Sequence, residues 1–372
     1  MDLWIQFLKH QNIKKLKTIL NIPLGSLFTF SLLFCSCAKL SYLWEQGPTQ
    51  LKIHFNAIPN DKVLKDPLVT EEQKRKIRKI GEYKEFFLNY FDENKRDIYT
   101  KTYFLKNEAA SYLVISSPLN EVKAETECFI IMGCFPYLGF FEKESALKYK
   151  EQKEKEHLST YMRPVYAYST LNYFNDPILS SFFNYDDLNL AEVIFHELFH
   201  TLFFVKSDVD FNENLANFFS KELMVIYFQD KNSEAMKNYL KQNSDYDLLN
   251  LEIKKFIKIL NEQYAKKAAQ VQYEEVLTTF LSTTFIPYFK QFCKEHEISD
   301  SQCFPLNRKW NNAVFAAYAT YESEQAAVKL KFTKMNKPLK EFFVTLKNEY
   351  RTYYENEENK QKFSEYFLRK NE

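Results

Sequence analysis

The chain has 372 residues, long enough for one large or two modest domains, and its 50 basic against 49 acidic side chains leave a formal net charge of +1. That balance lacks the basic excess a nucleic acid partner calls for, and none is expected. The 36 phenylalanines and 25 tyrosines come with only 5 glycines, a compositional bias to which we attach no function.

The first 37 residues differ from the rest. Lys9, Lys14, Lys15 and Lys17 precede the apolar run TILNIPLGSLFTFSLLFCSC, which ends in small residues at Cys37. A basic region, an apolar region and a small-residue end predict an export signal over residues 1–36. The finish Leu33-Phe34-Cys35-Ser36-Cys37 resembles the lipobox of bacterial lipoproteins, which implies lipidation of Cys37 and anchoring to a membrane. The competing expectation is an uncleaved N-terminal membrane helix. Either way the remaining chain lies outside the cytoplasm, in an oxidising compartment where Cys128 is expected to pair with Cys134 and Cys293 with Cys303.

Residues 37–97 read as two helices, the second opened by Thr70 as cap and carrying Ile77, Ile80, Phe86 and Phe87 on one side. From 98 to 185 the pattern changes to short β-type runs, TYFL, SYLVISS, CFIIMGCFPYLGFF and RPVYAYSTL, with the charged helix EKESALKYKEQKEKEHL between the last two. From Asp186 onward the pattern is helical, with breaks expected near Asn243 to Asp247 and Ser299 to Pro305. Strands followed by helices predict one α+β domain over 37–372 with a small mixed or antiparallel sheet.

The helical part opens on NLAEVIFHELFHTLFF. His196 and His200 stand four apart on a segment apolar for more than three turns, so both imidazoles leave one face of a buried helix about 5–6 Å apart at Cβ. That spacing suits two ligands of one zinc ion, and Glu197 beside them suits the general base that activates water. A zinc that keeps its fourth position for water needs a third protein ligand. Lys206 and Phe203 occupy the positions where a further histidine and a glycine would stand in a longer motif, and His54, His157 and His296 lie on charged segments. Glu213 is the candidate if the chain reverses through VKSDV and a second helix starts at Asp210. Phe211, Leu215, Phe218 and Phe219 would then face the core, and Ala216, Asn217 and Ser220 would allow close packing. Asp210 to Glu213 also fits a capping box, in which Glu213 merely bonds the Asp210 amide. We take Glu213 as the third ligand and Asp208 as the residue accepting the outer N–H of a ligand histidine.

The stretch IFHELFHTLFFVKSDVDFNENLANFF resembles the predicted zinc aminopeptidase family of bacterial lipoproteins, an HELAH-type motif followed by a VK-x-D-x-x-FNE run. The resemblance extends through CAKLSYLWEQGPTQL, CFIIMGCFPYLGFF, PVYAYSTLNYFNDPILSSFF and WNNAVFAAYATY. It implies a zincin-like metallopeptidase with peptide or protein substrates. It also implies that AYST, Ala167 to Thr170, is the strand pairing with extended substrate, and that Asn312 or Tyr321, with Tyr318 competing, donates to the oxyanion. The reading is thus a zinc peptidase of the cell envelope, an aminopeptidase, facing the periplasm from the outer membrane. An envelope endopeptidase and a catalytically inactive, metal-stabilised scaffold are the alternatives.

Overall fold

Thr70 opens the first long helix as its sequence predicts. In the computed structural model, which describes residues 48–94, 96–129, 133–167, 175–206, 208–229, 233–266, 273–321, 325–355 and 361–369, its hydroxyl accepts from the Gln73 amide while the Gln73 side chain accepts from the Thr70 amide. The export segment and Cys37 lie outside these residues. The helix over 48–56 (α1) leads through β1 (Ile58–Pro59) and α2 (Asn60–Val63) to α3 (Glu71–Tyr90). Ile77, Ile80, Tyr83, Phe87 and Leu88 of α3 are buried, and Phe86 packs partly buried on the same core.

The strand region holds β2 (Lys101–Tyr103), β3 (Ser111–Pro118), β4 (Glu127–Phe129), β5 (Gly133–Phe135), β6 (Leu138–Phe140), helix α4 (Lys143–Lys155), β7 (Leu158–Val165) and β8 (Ile178–Leu179). β3 is central in an antiparallel sheet of order β6-β3-β7, while β1 and β8 flank β2, antiparallel and parallel respectively. Consecutive burial of Val114, Ile115, Ser116 and Ser117 shows that both faces of β3 are covered. β4 and β5 form a hairpin in which Cys128 stands opposite Cys134. Cys128 is disulfide-bonded, and the Cys134 side chain lies outside the described residues.

The second half is helical: α5 (Asp187–Leu202), α6 (Val209–Phe228), α7 (Glu234–Ala265), α8 (Tyr273–Phe280), α9 (Ile286–Glu295), α10 (Phe304–Asn307), α11 (Asn312–Tyr321), α12 (Gln325–Met335), α13 (Leu339–Glu355) and α14 (Phe363–Arg369). The α+β arrangement expected from the order of the patterns is the one observed. The break expected at Asn243 to Asp247 is not there, because α7 runs straight through it. Asn, Ser and Asp are weak helix formers, but Tyr239, Leu249, Asn250 and Ile253 are buried on either side and Lys241 pairs with Asp245 one turn on, at 2.8 Å. The break at 299–305 does occur, and Cys293 is joined to Cys303 across it.

Residues Thr49–Glu372 form one unit with its largest core around α3, α5, α6 and the last three helices. Phe195 and Phe199 of α5 are almost wholly buried, Phe195 edge-on to Tyr83 and Tyr227 and Phe199 stacked on Phe219 at 4.3 Å. Each such ring contributes about 2–3 kcal/mol by leaving water, so α5 is fixed from both sides. Among the described residues, no helix is long and apolar enough to cross a membrane.

Candidate metal centre

Asp186 starts α5 by accepting from the Asn189 amide at 2.9 Å. Leu190, Ala191, Ile194, Phe195, Leu198 and Phe199 are all buried, so this helix is apolar nearly all round and lies inside the protein. It stops at Leu202, where Phe203 takes an extended conformation. The reversal that follows is held by Asn212, whose amide accepts from the Val205 N–H and donates to the Val205 carbonyl, both at 2.7 Å. All of these groups are buried, where a polar group left unpaired costs about 1–3 kcal/mol. The clasp therefore locks the loop and sets the position of the next residue, Glu213.

Helix α6 begins at Val209, one residue before the start expected, with Asp208 at its N-cap. Phe211, Leu215, Phe218 and Phe219 are buried as the spacing predicts, and Ala216 and Ser220 are fully covered where α6 packs against α5. Glu213 does not bond the Asp210 amide in a capping box. Its carboxylate turns instead to the histidines. Asp208 also departs from expectation: its carboxylate accepts from the Ser364 amide at 3.3 Å and faces Lys362 at 3.8 Å, fastening α14 to the start of α6. The His200 Nδ1 is buried with no hydrogen-bond partner, so Asp208 does not orient that ring.

The three donors converge. Nε2 of His200 lies 3.1 Å from Nε2 of His196, and each Nε2 lies 3.4 Å from an oxygen of Glu213. No other group of three or more His, Cys, Asp or Glu donors meets at one point among the described residues. A tetrahedral zinc ion with bonds of about 2.0–2.1 Å spaces its ligand atoms about 3.3–3.4 Å apart, and the observed separations match that edge length. Two imidazoles and a carboxylate are also the donor set zinc takes when one position stays open. The residues therefore fit the group.

The charges in this small volume are strongly coupled. Burial works against a charge on His196, yet the hydrogen bond and charge of Glu213 outweigh it and raise its pKa to about 9, with Glu197 and Glu192 adding to the effect. Burial works against the Glu213 carboxylate too, and the two imidazoles overcome it, holding the group well below the usual carboxylate range. Glu197 goes the other way. Burial pushes its pKa up by more than the two histidines pull it down, and the charges of Glu213 and Asp176 push in the same direction. A carboxylate of raised proton affinity is what a general base at neutral pH requires.

Two tyrosines that the sequence reading did not single out feel the charge of Glu197. Tyr99 is fully buried with its hydroxyl unbonded, and Tyr185, one residue before the Asp186 cap, is pushed up to about 12, chiefly by burial. Nothing in their local sequence marks them, because both reach Glu197 only through the fold. The residues proposed for oxyanion binding fare differently. The Asn312 amide donates to the carbonyls of Pro118 and Leu119 and accepts from the Tyr264 hydroxyl, so its hydrogen bonds are spent joining α11 to α7 and to the loop after β3. Tyr318 is buried and stacked on Phe304. The side chain of Tyr321 and the AYST residues after Ala167 lie outside the described residues.

A family model described as "Putative aminopeptidase" matches residues 41–363. No curated protein and no solved structure matches the chain.

Proposed function

The chain belongs to that putative aminopeptidase family, and from this premise we propose that it is a zinc-dependent aminopeptidase with a zincin-type site. The observation that carries the reading is the meeting of His196, His200 and Glu213 at separations that suit one tetrahedral ion, with Glu197 on the adjoining face of α5. Zinc, when bound there, supplies a Lewis acid that polarises a carbonyl and acidifies water. Glu197 takes the proton from the attacking water and hands it to the departing amine, work to which its burial suits it. Tyr185 is the partly exposed phenol within electrostatic reach of Glu197 and takes the role of hydrogen-bond donor to the reacting oxygen in place of Asn312. β7 is an edge strand of its sheet among the described residues, and Tyr166, just past its end, meets the Tyr185 ring edge-on at 6.1 Å. An extended peptide that pairs with the Val165 end of that edge would pass next to Tyr185.

The test is digestion of a peptide mixture by the zinc-loaded protein, read by mass spectrometry. Loss of single N-terminal residues is expected. Internal cuts would assign an endopeptidase, and zinc bound without products on any peptide would assign a scaffold.

We further propose, from the pattern of the first 37 residues, that this activity belongs to the cell envelope, facing the periplasm and anchored through lipid on Cys37. Cys37→Ser is expected to stay unlipidated and to leave the membrane fraction once processed, since the acyl chains hold it there. A variant that remains in membranes at full length would instead show an uncleaved N-terminal helix.

A further inference from the structure

An aminopeptidase must recognise the free ammonium group of its substrate, and that group lies close to the reacting atom. With standard bond lengths the α-nitrogen is about 2.5 Å from the carbonyl carbon of the same residue. A carboxylate that binds it must therefore lie within a side chain's reach of the metal donors. Three carboxylates act on His196: Glu213, Glu197 and Glu192. Glu213 is committed to both imidazoles, and Glu197 is the base.

Glu192 stands one turn before His196 on α5, so the two share a helix face about 5–6 Å apart at Cβ. Its neighbours Leu190, Ala191, Ile194 and Phe195 are fully buried, whereas Glu192, like His196 and Glu213, is only partly covered. The open side of the centre thus extends from the donors towards the N-terminus of α5. In the other direction α5 ends two residues past His200, and Phe203 is buried. Among the described residues Glu192 makes no ion pair. The charge of Lys221 reaches it, but that ammonium is bound to Asp247 at 2.9 Å, and Tyr239 contributes only a phenol. The other carboxylates near the centre are taken: Asp208 holds Ser364, and Asp176 faces His54 at 3.6 Å.

We propose that Glu192 binds the α-ammonium group of the substrate and thereby restricts the site to N-terminal residues. This rests on the aminopeptidase reading. An ammonium ion arriving beside this half-covered carboxylate supplies the cation that the fold leaves out, and the charge-assisted bond forms where solvent competes poorly.

Binding tests this apart from turnover. The zinc-loaded full chain and its Glu192→Gln variant are titrated with leucine hydroxamate, which carries the free amine, and with N-acetyl-leucine hydroxamate, which does not. The wild type is expected to prefer the free amine by about 10- to 100-fold, the range of one charge-assisted hydrogen bond. Glu192→Gln is expected to cut that preference to within about threefold while keeping the zinc content and the affinity for the acetylated compound. Retention of the preference by the variant would overturn the assignment of Glu192 and leave the aminopeptidase reading standing. Equal loss of both affinities would show a structural role and overturn it as well. A wild type with no preference, cutting peptides internally, would overturn both readings.

Discussion

Glu197→Gln is expected to bind zinc as the wild type does and to lose peptide trimming by at least about 10³-fold in kcat, with little change in KM. The three donor residues are untouched by this change, and their separations are set by the packing of α5 on α6 rather than by Glu197. The glutamine keeps the shape of the side chain in a position that is 7% exposed, so the core around it has no cavity to fill. What disappears is the proton acceptor, and Glu213, held by the two imidazoles, does not replace it. Metal content by atomic absorption and single-turnover rates on one peptide check the two halves separately. A variant that keeps the metal and still trims at more than a tenth of the wild-type rate would remove Glu197 from the mechanism.

The features legible in the sequence are those that repeat on a single helix. The four-residue spacing of His196 and His200 survives folding because it is a property of α5 itself, and the Thr70 capping box is likewise local to α3. The bearing of Glu213 on the histidines was also reachable, since the small residues of α6 indicated how closely it could approach α5. The contacts that hold Glu213 there were not. Asn212 works by clasping Val205 across a loop, Asp208 grips Ser364 from 156 residues away, and Tyr99 comes within reach of the Glu197 charge from just before β2. Each depends on where distant segments come to rest, for which neither periodicity nor propensity carries a signal. The run Asn243 to Asp247 erred in the opposite sense: its residues favour a turn, and burial of the flanking positions overrides them. Asn312 shows the same limit, because a polar residue on an apolar helix reads alike whether it serves a reaction or, as here, ties three segments together.

Glu213→Ala is expected to lose most of its zinc, with affinity weakened by at least about 100-fold, while the fold persists. Two imidazoles on one helix remain, and they do not hold zinc firmly without a third protein donor. The neighbouring acidic groups cannot move in. Asp208 is 3% exposed and bonded to the Ser364 amide, and Asp210, whose pKa is raised mainly by burial, is influenced most among charges by Lys362 rather than by either histidine. Glu213 itself is 27% exposed at its side chain, so its truncation removes a partly exposed group rather than one from the apolar core, and the Asn212 clasp still closes the loop. Far-ultraviolet circular dichroism of the metal-free proteins and melting temperatures with and without zinc distinguish loss of the site from loss of the fold, because only the zinc-dependent increase in melting temperature should vanish. An alanine variant that retains one zinc per chain at wild-type affinity would disprove the ligand assignment, and with it the argument that the 3.1 and 3.4 Å separations are those of a metal centre.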